Sequence, residues 1–300
     1  MPLPHLLLAL FAVLAWGTNF VIIKWGLAEF PPLLFSALRF LLSGLPWVFL
    51  LPRPPVRWPL MAAIGTLLSL GQFGLLYWAM QRDISPGLAS LVVQAQVFFT
   101  ILLAMMLRGE RLRPAQVVAL LLAVSGYVLV GWHGATDPAA AITLLGLAMV
   151  LGAAFCWACT NTLVRGAGPV NMLALTTWSC LYGTPPVLLA SLLFEGPQAI
   201  GQAMAHASVH GWLAVLWQAL GNTTFAFGAW NWLMARHPAA TVAPMALLVP
   251  VFGMLSSAWL VAEPLPGWKL GAALLVLGGL ALNLYAGRLA ARAAARGRAA

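Results

Sequence analysis

The chain has 300 residues, of which 62% are hydrophobic and only 7% charged, with a net charge of +9. Soluble domains carry charge on roughly a quarter of their residues, so this composition excludes an ordinary globular protein and makes the bilayer the solvent. The basic excess would suit a nucleic-acid partner only on a soluble surface, and no stretch of sequence is left over to form one.

Apolar runs of about 20 residues, enough to cross roughly 30 Å of hydrocarbon as a helix, recur from end to end. In chain order they predict helices over 5–25, 33–51, 59–81, 86–107, 114–131, 142–165, 171–194, 209–234, 239–261 and 268–287. The first is read as a retained span rather than a cleaved signal, because no basic cluster precedes it and Trp16, Thr18 and Asn19 lie in its core. Pro31, Pro32, Pro59, Pro86 and Pro114 fall where a first helical turn tolerates proline, and so mark starts rather than kinks.

Charge gives these spans a direction. With the amino terminus inside, Arg53, Arg57, Arg108, Arg111, Arg113, Arg165, Arg236, Arg288, Arg292, Arg296 and Arg298 face inward, eleven of fifteen basic residues. Lys24, Arg82 and Lys269 face outward and Arg39 lies within a span. The positive-inside rule then places both termini in the cytoplasm of a multi-pass protein of the bacterial inner membrane. Arg288, Arg292 and Arg296 share one face of a cytoplasmic tail that is either solvated or in touch with anionic headgroups. Cys156, Cys159 and Cys180 lie within spans with no histidine or carboxylate close in sequence, which predicts packing residues and no metal site.

The chain also repeats itself. Leu42, Gly44 and Pro46 recur 139 residues later as Leu181, Gly183 and Pro185, and Phe73, Gly74, Trp78 and Met80 recur 154 residues later as Phe227, Gly228, Trp232 and Met234. Phe99, Leu107, Glu110 and Leu112 recur at an offset of 153 as Phe252, Leu260, Glu263 and Leu265. The change of offset falls in the long loop 195–208. Five spans per half is an odd number, so the second half enters the membrane from the opposite side. The expected fold is an all-α membrane protein of about ten transmembrane helices in two inverted five-helix repeats, with a substrate site near the midplane between them.

Residues 88–126, with Gly109, Glu110, Arg111 and Leu112, and their weaker echo 242–279 resemble the two EamA repeats of the drug/metabolite transporter superfamily. On that resemblance, residues 1–134 form the first repeat, 135–287 the second, and 288–300 a basic cytoplasmic tail. Trp16-Gly17-Thr18-Asn19-Phe20, residues 87–91 leading to Gln94-Ala95-Gln96, and Val242-Ala243-Pro244 with Leu248-Val249-Pro250 look closer still to bacterial exporters of cysteine and O-acetylserine. Related members export aromatic amino acids. The resemblance implies export of amino acids and related metabolites by alternating access, through a cavity lined by spans one to four and six to nine. The second repeat departs from the family in having Glu263-Pro264 where Glu-Arg is usual, a loop position.

Polar groups at membrane depth cost free energy unless paired or facing a cavity. Asn19, Gln94 and Asn161, with Trp16 and Trp157 beside them and Gln72, Gln96 and Asn222 in neighbouring spans, are the candidates for substrate contact. Bonding between helices is the alternative for each. Tyr77, Trp78, Trp230 and Asn231 come near span ends, where an interfacial belt explains them. Arg39 could pair with Glu29, cap outer-loop carbonyls or attract a substrate carboxylate, and Lys24 is a weaker candidate for that attraction. Pro46, Pro185, Pro244 and Pro250 lack backbone donors and are either gating hinges or static kinks.

No nucleophile motif and no histidine or carboxylate clearly within a span supports an enzyme. No cofactor is expected; the partners are a small-molecule substrate and the lipid bilayer, with the chain as monomer or dimer. Nucleosides, sugars or cationic drugs, or a pore, remain the alternatives to amino-acid export. With all acids and histidines in loops or at span ends, downhill efflux is the expected driving force.

Overall fold

A computed structural model describes residues 1–109 and 113–297. Glu110, Arg111 and Leu112 of the repeated motif and Arg298 of the tail lie outside the described residues, as do the side chains of Arg108, Arg292 and Arg296. The chain forms α1 (Leu3–Leu27), α2 (Pro32–Val48), α3 (Trp58–Arg82), α4 (Pro86–Leu107), α5 (Pro114–Thr136) and α6 (Leu144–Gly166). It continues with α7 (Met172–Phe194), α8 (Pro197–His206), α9 (209–236), α10 (239–260) and α11 (Gly267–Gly297). Among the described residues the only β feature is an isolated bridge between Ile84 and Ile142.

Among the described residues, seven helical stretches are long and apolar enough to cross a membrane: α1, α3, α4, α5, α6, Ala243–Leu260 of α10 and Gly267–Leu289 of α11. The α2 helix is apolar but has 17 residues. In α7 the run Thr176–Tyr182 and the pair Pro185 and Pro186, and in α9 Gln218, Asn222, Thr223 and Thr224, dilute the apolar signal. Such helices are tolerated because they turn polar atoms toward protein: α7 packs along α2 and α3, and α9 along α1 and α2.

Two groups of three helices face each other. One joins α1, α9 and α10; the other joins α3, α4 and α6. The α2–α7 and α5–α11 pairs flank them. Small residues set the closest approaches: a Cβ on Gly65 of α3 would collide with the Ser179 carbonyl of α7, and Ser69 donates to the Gly183 carbonyl at 2.8 Å.

Several predicted spans are not uniform helices. Leu67–Gly74 in α3 and Trp217–Ala226 in α9 are π-helical, α4 is interrupted at Val93 and Gln94, and α10 is 3₁₀ over Ala243–Leu247. Pro244 sits in that 3₁₀ turn, while Pro46 comes two residues before the end of α2 and Pro185 is interior to α7. Pro250 is in the first turn of Leu248–Leu260. The loop expected over 195–208 contains α8, which starts at Pro197 with the φ of Gly196 at 85°.

Candidate functional site

The interrupted segments converge on one cavity of about 300 Å³ between the two helix groups. On one side Trp16, Asn19, Phe20 and Ile23 of α1, Asn222, Phe227, Trp230 and Asn231 of α9, and Ala246 and Val249 of α10 line it. On the other side stand Gln72, Phe73 and Leu76 of α3, Val93, Gln94 and Gln96 of α4, and Trp157 and Asn161 of α6. All eight residues singled out for substrate contact therefore surround the same space. Trp230 and Asn231, read from sequence as an interfacial belt, line it as well.

Gln72 and Asn222 lie within the two π segments, whose wider turns occupy matching stretches of α3 and α9, and both reach the cavity wall. Gln94 reaches the wall from the break in α4. Trp16 packs on Phe227 and Trp230, each ring centroid at 5.1 Å, giving an aromatic face. Asn161 Nδ2 donates to Gln96 Oε1 at 3.1 Å across the α4–α6 contact. Trp16 Nε1, Gln72 Oε1 and Asn222 Oδ1 are buried without a hydrogen-bond partner among the described residues. An unmet buried polar atom costs about 1–3 kcal/mol, and three of the seven such atoms among the described residues border this one space.

Behind this wall lies a group that sequence reasoning did not assemble. Arg39 is 1% exposed, and its guanidinium donates to Tyr77 Oη at 2.8 Å, Gln218 Oε1 at 2.9 Å and Thr223 Oγ1 at 2.9 Å. Its Cζ lies 3.7 Å from the ring centroid of Phe73. Gln218 Nε2 in turn donates to Asn19 Oδ1 at 2.8 Å. Arg39 thus does not pair with Glu29, and Tyr77 is a buried partner rather than part of an interfacial belt. Lys24 is exposed and is not among the cavity residues.

At one end of the molecule Glu195, Glu29, Glu263 and Asp83 each bind the start of a helix elsewhere in the chain. Glu195 accepts from the N–H groups of Leu33 and Leu34 at 2.6 and 3.0 Å, and Glu29 from Ser208 N and Oγ at 2.5 and 2.6 Å. Glu263 accepts from Gly87 N at 2.9 Å, Ser85 Oγ at 2.5 Å and Lys269 Nζ at 2.8 Å, and also from Ser257. Helix N-termini favour such anions. Asp83 accepts from Thr143 Oγ1 at 3.0 Å. At this acidic end residues 86–92 of α4 pack against α1 and α10, whereas residues 95–108 pack chiefly against α6. Gly253 of α10 allows that contact, since a Cβ there would strike Ser90. The opposite, basic end holds Arg53, Arg57, Arg113, Arg165 and Arg236, together with a contact of 2.7 Å between His5 Nδ1 and His237 Nε2.

A multi-pass helical bundle with an amide-and-aromatic cavity between two facing helix groups is an architecture that membrane transporters use. The chain belongs to the EamA-like transporter family, whose profile matches residues 3–132 and again 144–285. It is 38% identical over 292 residues to a "Probable amino-acid metabolite efflux pump" of Salmonella typhimurium, covering 94% of this chain and 95% of that protein. A protein of the same description from Escherichia coli K12 is 35% identical over 288 residues, covering 93% and 94%. A solved crystal structure superposes with a TM-score of 0.63 at 23% identity, covering 93% of this chain and 95% of that one, a likeness of fold.

Proposed function

We propose that this protein exports amino acids and related small metabolites across the bacterial inner membrane by alternating access, driven by the substrate's own gradient. The observation that carries the reading is the convergence of Asn19, Gln94, Asn161, Trp16, Trp157, Gln72, Gln96 and Asn222 on one cavity. Amides and indole N–H groups supply donors and acceptors for the charged ends of an amino acid, and the aromatic face supplies a surface for its side chain. The names of the two relatives support the same class of cargo.

The transport cycle rests on ten crossings in two inverted halves, 1–134 and 135–287, with α8 as a surface helix. Supporting this, the packing pairs exchange with one another when each crossing is replaced by its counterpart in the other half. The α1–α10 contact maps onto α6–α4, α3–α7 onto α9–α2, and α2–α7 and α5–α11 onto themselves. The interruptions map likewise, π in α3 and α9, broken or 3₁₀ in α4 and α10. Discontinuous helices at matching places of two repeats are where carriers hold substrate. The basic end faces the cytoplasm, with both termini, by the positive-inside rule. The helix groups meet at the acidic end, which fits a cavity that opens toward the cytoplasm in this cycle, with Pro185, Pro244 and Pro250 as its hinges. Pro46, so close to the end of α2, is a weaker hinge.

Growth rescue tests the assignment. Cells expressing the protein should resist toxic levels of particular amino acids or their analogues, and alanine at Asn161 or Asn222 should remove that resistance while the protein stays in the membrane. Rescue from nucleosides or cationic drugs alone would replace the amino-acid assignment.

A further inference from the structure

Arg39 is a permanent cation with no carboxylate within salt-bridge distance among the described residues. Every oxygen it binds, on Tyr77, Gln218 and Thr223, belongs to a neutral group. Phe73, whose ring lies 3.7 Å from Arg39 Cζ, lines the cavity, Gln218 links Arg39 to Asn19 of the cavity wall, and no Asp, Glu, Lys or His is among the described residues that line it. A buried charge left uncompensated in a low-dielectric setting keeps its field, so the cavity carries a positive potential from behind its wall.

The same arginine sets a direction along the chain of amides. Because a guanidinium can only donate, Gln218 must turn its carbonyl toward Arg39 and its NH₂ toward Asn19, where Nε2 meets Oδ1 at 2.8 Å. Asn19, which lines the cavity, accepts from Gln218 through Oδ1 and donates one Nδ2 hydrogen back to Gln218 Oε1 at 3.4 Å, so its second hydrogen, bonded to no acceptor among the described residues, can serve the cavity. Three residues earlier on the same helix face, the indole N–H of Trp16 is buried without a partner. Two donors on one face with a cation behind them are complementary to an anion.

We infer that Trp16 and Asn19 form the subsite for the substrate's carboxylate, and that Arg39, acting through Gln218, is the positioning residue that makes the carrier select for a carboxylate and against the corresponding amine. This rests on the exporter reading above and adds charge selectivity to it. Arg39 does not touch the substrate. It orients the donors and supplies the potential.

The test uses purified full-length protein in proteoliposomes and two matched sets of probes, phenylalanine with phenethylamine and 3-phenylpropanoate, and cysteine with cysteamine and 3-mercaptopropanoate. Inhibition of counterflow, or of binding where no flux is seen, is measured for each. In the wild type the amino acid, and more weakly the deaminated acid, should compete, and the amine should compete at least about tenfold less well. Gln218→Glu keeps the shape of the network but pairs Arg39 and turns an acceptor toward Asn19, so it should erase that preference. Asn19→Asp, which removes the donor without changing size, should do the same and serves if the first variant fails to assemble. An amine that competes as well as its amino acid in the wild type overturns the inference while leaving an exporter in place. So does an unchanged preference in an assembled variant of either kind. If no member of either set acts on the wild type, the amino-acid reading itself falls, and this inference with it.

Discussion

Glu263, in the loop after α10, and Lys269, in the first turn of α11, form an ion pair of 2.8 Å with side chains 5% and 1% exposed. The pair is not isolated, for Glu263 also accepts from Gly87 N and Ser85 Oγ at the start of α4. One carboxylate therefore ties three helices together at the acidic end. Removing one partner of a buried pair strands the other, so Lys269→Met should lower stability by about 3 kcal/mol, whereas Glu263→Gln combined with Lys269→Met should recover part of it by keeping the bonds to Gly87 and the serines. Thermal unfolding in detergent would measure both, and equal midpoints for the two variants would count against the pair's role.

The pH dependence of the acidic end follows from the direction of two shifts. The hydroxyl and N–H of Ser208 hold Glu29 below the ordinary carboxylate range. For Glu263, burial pushes the carboxyl up, but Lys269, Ser257, Ser85 and Gly87 outweigh it and the net direction is also down. A depressed carboxylate contributes stability that is complete above its unfolded value of 4.5 and is lost as pH falls through the folded value. The difference in unfolding midpoint between wild type and Glu29→Gln should thus be constant from about pH 5.5 to 8 and shrink only below about pH 4.5. A difference that changes across the neutral range would show that the charge on His210, which also favours ionised Glu29, outweighs the Ser208 bonds.

Orientation gives a third prediction. A cysteine at Arg57, exposed at the basic end, should react with a membrane-impermeant reagent only from the cytoplasm, and one at His206, exposed on α8, only from the periplasm. The reverse pattern would contradict the proposed topology and, with it, the direction in which the cavity is proposed to open.

Much of this site was legible in the sequence because a polar residue at membrane depth must be accounted for, and few are present. Asn19, Gln72, Gln94 and Asn161 stand out in apolar runs by chemistry alone. What stayed hidden depended on local departures from the regular helix. Trp230 and Asn231 lie near the end of an apolar run and mimic an interfacial belt, yet the π turns before them rotate that stretch inward. Gln218 is invisible for a related reason, since its importance comes from Arg39, 179 residues away. The interruption of α4 at Val93 and Gln94 has no proline or glycine to announce it, unlike the 3₁₀ turn at Pro244.

Removal of cavity amides should act on affinity more than on assembly. Gln72→Ala and Asn222→Ala each delete an oxygen that lacks a partner in the protein, so stability should change little while the apparent affinity for substrate weakens about tenfold. Concentration dependence of counterflow, with protein content checked by immunoblot, separates the two effects. Variants that lose protein from the membrane without weakening affinity would return both residues to helix packing.

Counterflow in proteoliposomes tests the central claim most directly. Vesicles loaded with an unlabelled exported amino acid should transiently accumulate the labelled form at equal pH on both sides, because a carrier that returns loaded turns faster than one that returns empty. An imposed pH gradient alone should produce no accumulation, since among the described residues no Asp, Glu or His lines the cavity to exchange a proton with substrate. Absence of trans-acceleration would indicate a pore, and concentrative uptake driven by the proton gradient would contradict downhill export.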